Sequence, residues 1–397
     1  LTLEPGLVVK GVNSGLRVDG TLLAQGTDVA SIVFTSYLDD SYGGDTNGDG
    51  AATVPAAGDW RGVGFSDTST GTVLDYVIVR YAGQTYNPVF STHAALYTVT
   101  SDLSFSNGVV EHTNLTGIYV SGANVSPTIT ASVIRNNSSG IRLEGGATAT
   151  ITNNVIEKNS YGIQANSGST PTITGNTFTG NGSYAIYLSS GSADSVISGN
   201  TAVGNGNNGI YIGGGTLAQN AFWASDMPVV LGGTVTVPQG VTLSLAPGLV
   251  VKGASGGGLR VDGTLLAQGT DVAPIVFTSD RDDSYGGDTN GDGAASTPAP
   301  GDWDSIYVNP TGTASFNHAV IRYGGNTSRL YDTNIFVDRG TLTIANSTVA
   351  HSLSNGVYAL NVSPLITNSQ VLSNVTSGLY LAASTSGTIL NPTIKNN

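Results

Sequence analysis

Asp45, Asn47, Asp49 and Gly50 spell D-x-N-x-D-G, and Asp288, Asn290, Asp292 and Gly293 spell it again. Oxygen-bearing side chains at the first, third and fifth positions of a tight loop can converge on one hard cation. Glycine at the sixth allows the sharp turn that brings them together. The next residue, Ala51 or Ala294, offers a backbone carbonyl. Further ligands must come from outside the motif. The nearest carboxylates are Asp39, Asp40 and Asp59 in the first copy, and Asp282, Asp283 and Asp302 in the second. With oxygen ligands only, no cysteine and no histidine nearby, the set suits Ca²⁺ rather than zinc. Carboxylates packed this densely repel one another unless a cation sits between them. The competing reading is a solvated turn in which Asp, Asn and Gly merely satisfy their own backbone.

The elements that position these loops are repeats at two scales. Gly15 to Trp60 matches Gly258 to Trp303 at an offset of 243, with six differences. Further echoes join "VIVRYAG" to "AVIRYGG" and "VVEHTNLTGIYV" to "TVAHSLSNGVYA", so one unit of about 240 residues occurs once nearly whole and once in part. Two units are expected, 1–222 with its loop at 39–59 and 223–397 with its loop at 282–302, forming one continuous solenoid.

Inside each unit a shorter period runs. Gly117, Gly140, Gly162, Ala185 and Gly209 head the segments "GIYV", "GIRL", "GIQA", "AIYL" and "GIYI", at spacings of 23, 22, 23 and 24. Between them lie "SPTIT", "TATIT" and "TPTIT". The period is too short for a strand–helix–strand unit. It holds two or three short strands divided by Gly, Asn and Ser turns. That pattern predicts an all-β fold, a right-handed parallel β-helix with 22–24 residues per coil and the two acidic loops as insertions. Alternation points Ile129, Ile151 and Ile173 inward in a column, and Thr128 and Thr130 outward. Asparagine recurs at Asn137, Asn154, Asn176 and Asn200. At one corner of successive coils such residues can form a ladder of side-chain amides.

The coils "PTITGNTFTGNGSYAIYL" and "ATITNNVIEKNSYGIQA" resemble the repeats of the pectate-lyase-like superfamily. "GGTVTVPQGVTLSLAPGLVVKG" resembles the first coils of secreted bacterial right-handed β-helix proteins. The resemblance implies the fold. It leaves function open, because that superfamily holds lyases, hydrolases, adhesins and phage spikes. The acidic loop is similar to the calcium loops of EF-hands, dockerins and thrombospondin type 3 repeats. It departs from the EF-hand at the twelfth position, where Ala56 and Ala299 replace a bidentate glutamate.

Composition narrows the function classes. Acidic residues number 27 against 14 Lys and Arg, for a net charge of -13. Phosphate contacts require clustered cations, so nucleic acid is not an expected partner. No apolar run is long enough to span a bilayer. A chain of 397 residues without cysteine fits an extracellular or cell-surface protein. Leu1 falls within a strand pattern and no signal peptide is visible, which reads as a mature or trimmed piece.

A polysaccharide-cleaving enzyme would need acidic residues and a basic one on a strand face. Arg135, Arg142, Lys158, Glu144 and Glu157 lie on such segments, although charges on a β-helix are usually solvated rungs. No G-H-G motif occurs. Of the histidines His93, His112, His318 and His351, His112 and His351 are equivalent, as are Arg80-Tyr81 and Arg322-Tyr323, which suggests architecture. Thr128/Thr130, Thr150/Thr152 and Thr172/Thr174 line up as a possible ice-binding surface, but the ladder breaks at "DSVIS". The expected function is therefore an extracellular, calcium-stabilised structural solenoid: an adhesin, stalk or filament component. Its partners would be further copies of itself, end to end, and carbohydrate is a second candidate. The alternative is a polysaccharide lyase or glycoside hydrolase.

Overall fold

The computed structural model describes residues 1–84, 94–189, 191–326, 332–383, 385 and 387–397, and among them there are strands and turns but no helix. The fold is the expected right-handed parallel β-helix, with about 16 turns. The chain forms two compact units, Leu1–Tyr187 with Ser195–Gly206, and Leu188–Asp194 with Asn207–Asn397.

A coil of the first unit shows how the sequence makes this structure. Thr150–Thr152, Val155–Glu157 and Tyr161–Ala165 are its three strands. Each is short and alternating, and the middle residue of each triplet faces inward. Strands of successive coils pair in parallel, so residues one period apart become direct neighbours. Ile129, Ile151 and Ile173 are partners in consecutive rungs, and all three are fully buried. Thr128 is exposed, and Thr150 and Thr172 are part-exposed beside it. Strands Thr341–Ala345, Thr348–Ala350 and Asn355–Leu360 form the corresponding coil of the second unit.

The corners are built from two residues. The first adopts the left-handed conformation, as at Asn153 (φ 56°) and Lys158 (φ 54°). The second, Asn154 or Asn159, turns its side chain into the core. Asparagine tolerates positive φ better than most residues, whereas the lysine needs the surrounding coil to hold it there.

The buried asparagines form ladders, but two rather than one. Asn154, Asn176 and Asn200 follow the first corner; Asn137, Asn159, Asn181 and Asn205 follow the second. The expected single series of Asn137, Asn154, Asn176 and Asn200 thus mixes both, because each coil turns tightly twice within five residues. At each rung the Oδ1 accepts the backbone N–H and the Nδ2 of the coil before. The Asn154 N–H and Nδ2 both reach Asn176 Oδ1 at 2.9 Å. The remaining Nδ2 hydrogen closes a core carbonyl, as from Asn176 to Ile151 O at 2.9 Å. In the second unit serine takes several of these places: Ser347 N donates to Ser369 Oγ, and Ser352 N to Asn374 Oδ1.

Candidate metal centre

Each acidic loop leaves its coil after a strand that is buried along its whole length, Ile32–Ser36 or Ile275–Ser279. Alternation fails there because the loop folds back over the outward side chains Thr35 and Thr278. Thr35 Oγ1 donates to Asp39 Oδ2 at 2.5 Å, and Ser41 Oγ donates to Asp39 Oδ1 at 2.5 Å. Arg80, one coil on, approaches Asp39 Oδ2 at 3.7 Å and Glu111 at 3.4 Å. The far end of the loop is clasped by Asp59. Its Oδ2 accepts from Ser36 Oγ at 2.6 Å and from Ala56 N at 2.9 Å. Trp60 then buries its ring over Gly11, where a Cβ would meet Trp60 Cβ at 2.9 Å, and donates its Nε1 to Arg80 O at 2.8 Å. Lys10 reaches up from the preceding coil to Gly44 O at 2.6 Å.

The motif itself is a nest around Asp45. Its Oδ1 accepts from Gly48 N at 2.6 Å and Asp49 N at 3.2 Å, and its Oδ2 accepts from Gly50 N at 2.9 Å. Chiefly the Gly50 bond, against a smaller cost of burial, and then those from Gly48 and Asp49, hold this carboxyl below the usual range. Ligand oxygens of Asp40, Asp45 and Asp49 all lie within 4.8 Å of one another. Asp40 Oδ1, Asn47 Oδ1 and Asp49 Oδ1 are sealed from solvent and accept no hydrogen bond. The second oxygen of Asp49 is bonded by Thr53 Oγ1, and the Asn47 amide donates to the same hydroxyl. Ala51 lies in the turn just after Gly50.

The second loop repeats this frame. Asp288 accepts from Gly291, Asp292 and Gly293 N–H groups at 2.8, 3.2 and 2.9 Å. Asp302 accepts from Ser279 and Ala299. Asp282 accepts from Thr278, Ser284 and Arg322. Burial would raise the Asp282 carboxyl, but the bonds from Ser284, Thr278 and Arg322 together hold it below the usual value. Asp283 is pushed up, first by lost hydration and next by the charge of Asp288. Asn290 Nδ2 donates to Asp292 Oδ2 at 3.0 Å, and Ser296 Oγ to the same oxygen at 2.5 Å. Ala294 follows Gly293 in the turn.

The fourteen expected ligands thus divide. Asp40, Asp45 and Asp49 gather, and Asn47 beside them has an oxygen without a hydrogen bond; Asp283, Asp288, Asn290 and Asp292 are their counterparts, and Ala51 and Ala294 lie in the turns that follow. Asp39 and Asp282 serve as struts and Asp59 and Asp302 as latches, each satisfied by protein donors. The partners Lys10/Lys252, Thr35/Thr278 and Ser36/Ser279 were missed in the sequence, and Arg80/Arg322 were read there as architecture without their aspartate partners. All four pairs recur with the loops at offsets of 242 or 243, which is the signal that could have found them.

The charged residues considered for catalysis lie mostly in ion pairs along the faces. Arg135 bonds Glu111 at 2.8 Å and lies 3.7 Å from Glu157. His112 stacks on Tyr81 and His351 on Tyr323, with centroids 5.5 and 5.1 Å apart. His318 Nδ1 is 2.8 Å from Asp271, and His93 lies outside the described residues. Glu144 accepts from Arg142 at 2.7 Å, Ser167 at 2.9 Å and Asn166 at 3.1 Å. Burial alone would raise its carboxyl, and these bonds bring it below the ordinary glutamate value. A lowered folded pKa stabilises above the unfolded value, and that stability is lost as pH falls through the folded one. Glu144→Gln is therefore expected to cost about 1 kcal/mol at neutral pH. The deficit should start to shrink as pH falls past the ordinary glutamate pKa of about 4.3 and be gone only below the lowered folded one. Urea midpoints of both proteins between pH 3 and 7 check this; a deficit constant with pH would refute it.

A family model described as "Right handed beta helix region" matches residues 61–222. No curated protein and no solved structure matches the chain. The matched span begins just after the first loop and ends before the second. Fold and match together define a β-helix repeat protein.

Proposed function

We propose that this protein is a cation-stabilised structural β-helix, carrying Ca²⁺ in an acidic loop and working outside the cell as a stalk, adhesin or filament component. The observation that carries this reading is the set of sealed, acceptor-only oxygens on Asp40, Asn47 and Asp49. A buried polar atom left without a partner costs about 1–3 kcal/mol. One cation beside Asp45 would satisfy the Asp40 and Asp49 carboxylates together, since ligand oxygens of these three aspartates lie close to one another, and Asn47, two residues on, could add its own oxygen. Two oxygens at about 2.4 Å from a common Ca²⁺ are at most about 4.8 Å apart, and the aspartate oxygens here lie within 4.8 Å of one another. The ligands are neutral or anionic oxygens only, so a hard ion fits better than a soft one. A structural role is further supported by the pairing of Arg135, Glu111 and Glu157 with one another along a face.

Only the folded loop assembles the ligands, so binding stabilises the fold by linkage, by about 2.7 kcal/mol at a hundredfold excess over Kd. Chelation is expected to lower the Tm at matched ionic strength, and Asp49→Ala together with Asp292→Ala is expected to abolish that sensitivity. Identical melting with Ca²⁺ and with chelator would overturn the proposal.

A further inference from the structure

The chain contains seven Asn–Gly pairs. In such a pair the glycine nitrogen can attack the asparagine side-chain carbon, because glycine has no Cβ to stand in the way. Five of the pairs lie in the coils, and in each of these one partner is buried. Asn181 and Asn205 are enclosed in the Asn ladder, and Gly108, Gly209 and Gly356 are buried behind Asn107, Asn208 and Asn355. Three of the glycine nitrogens also donate to a neighbouring coil: Gly182 to Asn159 O at 2.7 Å, Gly206 to Asn181 O at 2.9 Å and Gly108 to Ser132 Oγ at 3.1 Å. The other two pairs, Asn47–Gly48 and Asn290–Gly291, occupy the same place in the two acidic loops, and neither partner is buried. A Cβ on Gly48 would meet nothing within 4 Å, whereas one on Gly108 would lie 2.4 Å from the Phe105 ring. Their bonds stay within the loop. Gly48 N–H donates to Asp45 at 2.6 Å, Gly291 N–H to Asp288 at 2.8 Å, and the Asn47 amide to Thr53 at 3.0 Å. Breaking them opens the loop and leaves every rung of the coil intact.

We propose that Asn47 and Asn290 are self-modifying sites, at which each acidic loop exchanges a neutral amide for a carboxylate as the protein ages. The glycine nitrogen gives its proton to hydroxide and bonds to the asparagine Cγ. The Cγ–Nδ2 bond breaks, and Nδ2 takes a proton from water and leaves as ammonia, which regenerates the hydroxide. Water then opens the cyclic imide. Cleavage at Cγ yields aspartate, and cleavage at the backbone carbonyl yields isoaspartate. The imide nitrogen carries no hydrogen, so the bond from Gly48 to Asp45 is lost while it persists. Aspartate at position 47 adds a charge beside Asp40, Asp45 and Asp49, whose oxygens already lie within 4.8 Å of one another. Isoaspartate lengthens the backbone within the nest. The reaction needs only water and is independent of any bound ion.

The full chain, aged in chelator at mildly alkaline pH, is digested and its peptides are read by mass spectrometry, with electron-transfer fragmentation to tell isoaspartate from aspartate. Peptides holding positions 47 and 290 are expected to convert about tenfold or more faster than those holding any coil pair, because a coil pair reacts only after the coil opens locally. The same chain kept unfolded in urea is expected to convert all seven pairs at similar rates. Gly48→Ala is expected to slow position 47 by about tenfold, since a Cβ then shields the nitrogen, and position 290 serves as the unaltered control. Similar rates at loop and coil pairs in the folded protein would overturn the proposal. So would loop pairs that stay intact while the unfolded chain converts.

Discussion

Ile173→Asp is expected to cost about 4–5 kcal/mol or more, because it places an unpaired carboxylate in a dry core. Ile173 is fully buried between Ile151 and Ile197, its rung neighbours above and below. The aspartate would find the neighbouring amides already engaged in the Asn ladder. Either the carboxyl takes up a proton or the coil opens to water, and both are costly. Ile173→Val removes one methylene and is expected to cost only about 0.5–1.5 kcal/mol. Thr172→Asp, one residue away but facing outward, is expected to stay within about 1 kcal/mol of the parent. Denaturant midpoints of the three proteins decide the matter. A stable Ile173→Asp protein, or equal losses at 172 and 173, would contradict the inward assignment.

Asn176→Leu is the second large effect, at about 3–5 kcal/mol for several buried groups left unpaired at once. The leucine is similar in size but can neither accept nor donate. The Asn154 N–H and Nδ2 lose their acceptor, and Ile151 O and Asn200 Oδ1 lose a donor. Contacts in a solenoid run between neighbouring coils, so the damage should spread to the rungs at Asn154 and Asn200 first. Asn176→Ser keeps an acceptor, as Ser369 does for Ser347 in the second unit, and is expected to lose about half as much. Thermal melts, with hydrogen exchange at 150–157 and 196–203, measure both size and spread. Equal stability of the Leu and Ser variants would show that the ladder contributes shape rather than hydrogen bonds.

The coil was legible in the sequence because every coil solves the same problem. Ile151 has Ile129 and Ile173 beside it whatever the rest of the chain does, so a period of 22–24 and a two-residue alternation are enough to place it. The corner asparagines were legible as a type but not as two ladders. Asn137 and Asn154 look alike in one dimension, and only the path of the chain puts them at different corners. The D-x-N-x-D-G nest was also legible, since Asp45 bonds to amides three to five residues ahead and needs no distant partner.

The division of labour among the carboxylates was not legible. Asp39 and Asp40 are adjacent and identical in type, yet one is consumed by Thr35, Ser41 and Arg80 while the other keeps an oxygen without a hydrogen bond. Both lie past the end of the strand at Ser36, and which of them meets the coil depends on how the excursion folds back. Asp59 likewise spans 23 residues to clasp Ser36. The difference between the loops is the clearest case. Residues 39–52 and 282–295 are the same string, so nothing inside them could distinguish the copies. What differs is contributed from outside, by Asp280 and Arg281 against Tyr37 and Leu38, by Asn208, and by the enclosure of Lys252. The sequence alone determined the repeat, its inward face and the presence of an acidic nest, because those depend on contacts at short or regular separations. The tertiary structure decided which oxygens are left without a hydrogen bond, because donors and charges from distant coils claim the others.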